Sequence, residues 1–145
     1  MNIKFIDNKE DISQFESLRS ESFGLDYGIS KYYYEKFKQQ TMLIIGAYEN
    51  DELIGCLYIS PCYYKNGYID QLFVREDYQN SELHVGTTLL KYVEDHIQYI
   101  SEYFDMTISK LLIEYCDDRS ESVYKNQGYK PTNLDGTLYK RVNNN

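Results

Sequence analysis

A chain of 145 residues has the length of one ordinary domain, so a single core is expected and a two-domain cofactor enzyme is excluded. Its 42% hydrophobic and 26% charged residues lie near globular averages, which argues against disorder, collagen-like repeats and coiled coil. The formal net charge of −8 repels phosphate backbones and anionic lipid surfaces while attracting cations, so neither nucleic acid nor a membrane is expected as a partner.

Aromatic usage is skewed, with 17 tyrosines, 6 phenylalanines and no tryptophan, and predicts a core lined by rings whose hydroxyls reach a partner or the surface. Cys56, Cys62 and Cys116 form no CxxC pair and have no histidine cluster near them. That pattern predicts free thiols in a reducing compartment and no metal site, with Cys116 read as a buried thiol rather than a nucleophile. The first ten residues lack an apolar leader, and no stretch approaches the ~20 apolar residues of a spanning helix, so the expected location is the cytoplasm.

Residues 2–6 alternate as a short strand, and Asn8 or Asp11 can cap a helix that keeps Ile12, Phe15, Leu18 and Phe23 on one face, with Gly24 and Gly28 punctuating its end. A second helix is expected over 30–39, with Ser30 as N-cap and Tyr33, Tyr34 and Phe37 on one face. Two apolar runs, 42–49 and 52–60, flank Asn50-Asp51 and read as a central antiparallel hairpin ended by Pro61. After a turn over YYKNG, residues 68–74 form a third strand interrupted by Asp70 and Gln71.

Val85, Leu89, Val93 and Ile97, flanked by Leu90 and Ile100, predict one amphipathic helix of four turns or more, with His96 at its boundary. Residues 110–116 follow as a buried strand. Asp117 or Asp118 then caps a short helix over 119–126, Asp118 and Glu121 matching a capping box, and Gly128 stops it. Residues 129–131 and 136–142 supply a last pair of strands, and 143–145 an expected frayed tail. The order predicts a mixed α/β single domain spanning 1–145, in which the strands on either side of the long helix lie parallel by a crossover.

The strand-to-helix junction LFVREDYQNSELHVGTTLL is the main chemical signal. First-turn amides have no partner within a helix and the helix dipole adds about half a positive charge, so such a junction suits a phosphate. Gly86 permits close approach of the backbone, and Thr87 and Thr88 offer hydroxyls.

The junction resembles motif A of the GNAT superfamily of N-acetyltransferases. There an apolar-aromatic-Val strand end leads through a Q/R-x-x-G-x-G/A loop into a helix opening with small residues and Leu-Leu. Leu72-Phe73-Val74 and His84-Val85-Gly86-Thr87-Thr88-Leu89-Leu90 fill those places. The segment LLIEYCDDRSESVYKNQGYKP resembles motif B, with Tyr124, Gly128 and Tyr129 at its Tyr and Gly-aromatic positions. Both motifs occur in the right order, and the resemblance spans nearly the whole chain. It implies a GNAT-like central sheet, mixed but mostly antiparallel, splayed between its fourth and fifth strands and flanked by about four helices.

Two departures stand out. Counting back from Gly86, Ser81 stands where the family prefers Gln or Arg, and His84 replaces a glycine; alternatively Gln79 is the first motif residue and the loop carries an insertion. His84 must then point away from the pyrophosphate or donate to it.

The resemblance implies transfer of an acetyl group from acetyl-CoA, as co-substrate without a metal, to an amine by direct attack. Leu72, Phe73 and Val74 would align the pantetheine arm and polarise the thioester carbonyl. Ser81, His84, Val85, Gly86 and Thr87 would hold the pyrophosphate, and Asp117 joins the implied cofactor contacts. Tyr124 would protonate the departing CoA thiolate. An ammonium near pKa ~10.4 needs a base, for which Asp70 or Glu114 is placed to act through water. The acidic balance favours a small cationic acceptor or a peptide amine, contacted by residues 24–40 and 61–67, whose tyrosines also suit a homodimer. Two other readings follow from the same residues: a catalytically silent GNAT-like module that binds CoA or a protein, suggested by Ser81 and His84, and an unrelated acidic α/β domain acting through a tyrosine-rich surface.

Overall fold

The computed structural model describes residues 1–23 and 41–142. The helix expected over 30–39, the Gly24 and Gly28 punctuation and the tail 143–145 lie outside the described residues.

The runs on either side of Asn50-Asp51 form the expected hairpin, β2 (Leu43–Glu49) against β3 (Glu52–Cys62), with Glu49 opposite Glu52. Asn50 and Asp51 take φ of 51° and 64°, the left-handed pair a two-residue type I′ turn demands and these short polar residues tolerate. β3 runs on to Cys62 instead of ending before Pro61, which pairs with Gly67. No β2 residue lies opposite Pro61, so the missing N–H interrupts no ladder on that side. The next strand, β4 (Asn66–Val74), accordingly starts two residues earlier than the sequence pattern suggests.

β1 (Asn2–Ile6) pairs antiparallel with β2, and β5 (Lys110–Glu114) pairs parallel with β4, as a crossover connection requires. β7 (Thr137–Arg141) lies antiparallel to β5 and carries the two-residue β6 (Lys130–Pro131) on its outer edge. The sheet order is β1-β2-β3-β4-β5-β7-β6, mostly antiparallel with one parallel pair.

Each face of the sheet carries its own core. On one, α1 (Lys9–Phe23) lays Ile12, Phe15 and Leu18 over Ile44, Cys56, Tyr58 and Phe73. Asn8, rather than Asp11, is its cap: the Asn8 Oδ1 accepts the Asp11 amide at 2.9 Å. On the other face, α2 (Val85–Asp95) buries Val85, Leu89, Leu90 and Val93, and α3 (Ile97–Tyr103) buries Ile97 and Ile100.

The single long helix of the sequence pattern is thus two. The break falls at His96, whose φ of −112° and ψ of 21° leave the helix, and its Nδ1 lies 2.8 Å from the Tyr92 carbonyl with the ring stacked on Tyr92. The apolar period continues through the break, which is why periodicity alone does not show it.

α2 can lie close to the sheet because residue 55 is glycine. A Cβ there would stand 2.7 Å from Val85 Cγ1 and 3.3 Å from the Phe73 carbonyl oxygen, so the start of α2 is seated directly on β3. Among the described residues no helix is long and apolar enough to cross a membrane.

Candidate active site

β4 and β5 stay paired from Asn66 and Lys110 to Ile69 and Ile113, and there the pairing stops. A bulge causes the separation. Tyr58 lies opposite Gln71 and Ile59 opposite Ile69, so Asp70 is an extra residue in β4, and an extra residue bends its strand and increases the local twist. Beyond it the edge of β4 from Leu72 to Val74 faces β5 without a strand partner. A cleft of about 470 Å³ opens there, between Leu72–Val74, the loop into α2 and the segment that follows β5.

The loop wall is built in three steps. Glu76–Tyr78 form a 3₁₀ turn after β4, anchored by Arg75, which pairs with Asp77 at 2.7 Å and Glu52 at 3.2 Å. Gln79 Nε2 then donates to the Val74 carbonyl at 2.8 Å, tying the loop to the strand end. Finally His84, at φ 49° and ψ 52°, turns the chain into α2. That left-handed conformation explains why a glycine suits this position, and it costs a non-glycine residue about 1 kcal/mol. His84→Gly is therefore expected to raise the midpoint of thermal unfolding by a few degrees; a lower midpoint would mean that the imidazole makes contacts worth more than the backbone cost.

α2 opens without a side-chain cap. Among the described residues the amides of Val85, Gly86 and Thr87 have no acceptor, and the first helical bond is Thr88 N–H to the His84 carbonyl at 2.9 Å. Ser81 Oγ is buried without a hydrogen-bond partner in the same loop. Thr88, in contrast, spends its hydroxyl on the His84 carbonyl at 2.8 Å, so Thr87 is the hydroxyl left to the cleft. Three open amides, one orphaned hydroxyl and the positive end of a helix fit an anionic phosphate.

Not every expected residue contributes in the same way. Leu72 and Val74 lie on the α2 face beside Gly86, where a Cβ would stand 3.6 Å and 4.0 Å from their side chains. Phe73 turns its ring to the α1 face, 5.8 Å from the Phe15 ring, and so borders the cleft with its main chain. Val85 is buried against the sheet and offers only its amide.

The opposite wall comes from the end of β5 and from α4 (Asp118–Asn126). Asp117 is the N-cap: its side chain accepts the Ser120 amide at 2.7 Å, and Ser120 returns the bond, in place of the Asp118–Glu121 box expected from sequence. That hydrogen bond holds the Asp117 carboxyl below the usual carboxylate range. Asp117 therefore acts on the cleft by orienting α4; Glu121 instead pairs with Lys125 at 3.0 Å. Cys116 is exposed rather than buried, because β5 ends at Glu114 and the chain leaves the core before reaching it.

Tyr124 lines the cleft from α4 with only 6% of its surface exposed. Burial, with smaller contributions from Cys116 and Asp117, pushes its hydroxyl up to about 12. Arg119, on the first turn of α4, reaches across to the loop and donates to Asn80 Oδ1.

Asp70 and Glu114 do not line this cleft. Ile69, Leu111 and Ile113 belong to the α2-side core, so by strand alternation Tyr68, Asp70 and Glu114 share the α1 face. There Ser60 Oγ donates to Asp70 Oδ2 at 3.1 Å. The Tyr68 hydroxyl is raised above the ordinary phenol range, first by burial and then by the nearby Glu114 and Asp70 carboxylates. The structure thus adds Tyr68 and Arg119 to the residues read from sequence. Tyr68 was detectable at i−2 from Asp70, and Arg119 as a cation in a first helical turn, where the dipole disfavours one.

The family model described as the acetyltransferase (GNAT) family matches residues 12–129. A search of curated protein sequences finds no significant match. Among solved structures, the chain is similar to a PaiA N-acetyltransferase from Thermoplasma acidophilum in complex with coenzyme A, at 18% identity and TM-score 0.70 over 98% of this chain and 100% of that one. It is also similar to an aminoglycoside 6′-N-acetyltransferase complexed with coenzyme A, at 17% identity and TM-score 0.74 over 100% and 99%. A ribosomal-protein-alanine N-acetyltransferase from Brucella melitensis aligns at 12% identity and TM-score 0.71 over 98% and 100%.

Proposed function

The chain belongs to the GNAT acetyltransferase family, and on that premise we propose that it moves the acetyl group of acetyl-CoA to the primary amine of a cationic acceptor by direct attack. The observation that carries the reading is the unpaired β4 edge, Leu72–Val74, lying beside the open amides of Val85, Gly86 and Thr87. One surface suits an extended amide-bearing arm, which can add to the sheet as a strand would, and the other suits its phosphates.

Acetyl-CoA supplies the thioester whose carbonyl carbon is attacked. The chain's part is to bind and orient. The loop amides and Ser81 hold the pyrophosphate, and a main-chain N–H of β4 donates to the carbonyl oxygen as it gains negative charge. The acceptor reaches the reacting carbon from the α1 face through the gap between β4 and β5. Asp70 and Glu114, both near Tyr68, draw in its ammonium and remove a proton through water. The nitrogen–carbon bond forms as the carbon–sulfur bond breaks, and Tyr124 stands on the cofactor side to stabilise the departing sulfur.

Two carboxylates at the acceptor entrance and a net charge of −8 support a cationic acceptor. The names of the structural relatives include an aminoglycoside and a ribosomal-protein alanine, both amines, on this one fold. The reading is tested by calorimetric titration with acetyl-CoA, followed by release of free thiol in the presence of polyamines, an aminoglycoside, a peptide N-terminus and an anionic amine. Binding and thiol release with the cationic amines, and much less with the anionic one, are expected. Absence of binding at millimolar acetyl-CoA overturns the reading, and binding without thiol release from any amine makes the chain a silent module.

A further inference from the structure

CoA carries about four negative charges near neutral pH, two on its 3′-phosphate and two on its pyrophosphate, counting a phosphate monoester at nearly −2. It must enter a chain whose own net charge is −8. Open amides and a helix dipole offset only part of that repulsion, and Ser81 stands where a basic or amide side chain fits the motif. Among the described residues lining the cleft, Arg119 is the single lysine or arginine.

Several other basic side chains are taken up by carboxylates. Arg75 is held by two carboxylates, Lys140 by Glu94 at 2.6 Å, Lys125 by Glu121 at 3.0 Å and Lys4 by Asp11 at 3.6 Å. Arg119 donates instead to a neutral amide, Asn80 Oδ1. A guanidinium has five N–H donors, so this contact leaves donors available, and although the Asp117 carboxylate lies near enough to interact with the charge, it makes no ion pair with it. Asn80 sits at φ 59° in the loop that leads to Ser81 and the open α2 amides, so the contact spans the cleft from α4 to the phosphate-binding wall.

We propose that Arg119 is a phosphate-binding residue for the acyl donor, with Asn80 as its partner in the free protein and a phosphate oxygen of CoA as its partner in the complex. The proposal rests on the acetyltransferase reading above and supplies the cation that the altered loop lacks. An ion pair with a charged phosphate that can accept two hydrogen bonds outcompetes a single bond to a neutral amide.

The test is calorimetric titration of the full chain with CoA, dephospho-CoA and pantetheine, comparing wild type with Arg119→Gln, Arg119→Lys and the control Lys91→Gln. Lys91 is exposed on α2 and removes the same charge away from the cleft. Arg119→Gln is expected to weaken CoA about tenfold, with Arg119→Lys in between and Lys91→Gln near wild type. Added salt should cost the wild type more affinity than Arg119→Gln, and pantetheine, which has no phosphate, should not distinguish the two. A loss confined to CoA assigns the 3′-phosphate, and an equal loss with dephospho-CoA assigns the pyrophosphate. Wild-type affinity in Arg119→Gln, or an equal loss for pantetheine, overturns the proposal. Failure of the wild type to bind CoA at all overturns the acetyltransferase reading instead.

Discussion

Gly86→Ala should weaken CoA binding by tenfold or more, about 1.4 kcal/mol, while leaving the protein as stable as the wild type or more so. The protein's own packing does not require glycine here. A Cβ at residue 86 would meet Leu72 Cδ2 at 3.6 Å and Val74 Cγ2 at 4.0 Å, ordinary contact distances. Alanine is also the better helix former, by up to about 1 kcal/mol, so the fold gains if anything. The added methyl stands between the open α2 amides and the β4 edge, the space proposed for the pyrophosphate and the top of the pantetheine arm. Thermal unfolding and calorimetric titration read the two effects separately. A variant that binds CoA as the wild type does would remove this wall of the cleft from the donor site.

Tyr124→Phe should lower kcat about 10²-fold with little change in the KM for acetyl-CoA, since the ring and its packing remain and only the hydroxyl is lost. The form of the contribution follows from its environment. With the hydroxyl pushed up to about 12 by burial, Tyr124 stays protonated and remains a donor throughout the neutral range. A thiolate with a pKa near ~8.5 cannot take that proton completely without an uphill step of about 5 kcal/mol. In the proposed reaction Tyr124 would therefore donate a hydrogen bond to the sulfur as charge develops, and the proton that completes the thiol would be the second one the acceptor nitrogen loses as it becomes an amide, the first having gone to the base. This refines the acid role that the family resemblance implies.

The pH consequence has a definite sign. A phenol titrating near 12 produces no alkaline fall in rate below about pH 11, so kcat/KM should rise with pH until the acceptor amine has lost its proton near ~10.4. Tyr124→Phe should lower the whole profile without moving it. An alkaline limb below pH 10 that disappears in the variant would show that Tyr124 ionises in the working range, against the environment described above.

Much of the fold was legible because its signals are local. Asn50-Asp51 between two apolar runs specifies a hairpin in two residues, and a strand–helix–strand order around residues 85–100 implies a parallel pair through crossover geometry. The open end of α2 was legible for the same reason, since residues 84–88 carry it without help from elsewhere. The errors also have local causes. His96 breaks a helix without breaking its apolar period, and Asp117 competes with Asp118 for one cap until Ser120 completes the box.

Sequence alone determined the strand order and an open helix start suited to phosphate, and its resemblance to the family singled out Tyr124 among seventeen tyrosines. Tertiary structure decided what those pieces face. A bulge at Asp70 separates β4 from β5 and reverses which residues point to which side, and no alternation rule anticipates an extra residue in a strand. Alternation already puts Asp70 and Glu114 with Tyr68 on the α1 face, and the bulge returns Leu72 and Val74 to the other, so the proposed base and the proposed donor site lie on opposite sides of one gap. The Arg119–Asn80 contact joins residues 39 positions apart, and the −8 charge of the chain gives no hint of it. Net charge sums over the surface, whereas the potential at a phosphate depends on the few groups that folding brings within a Debye length of it.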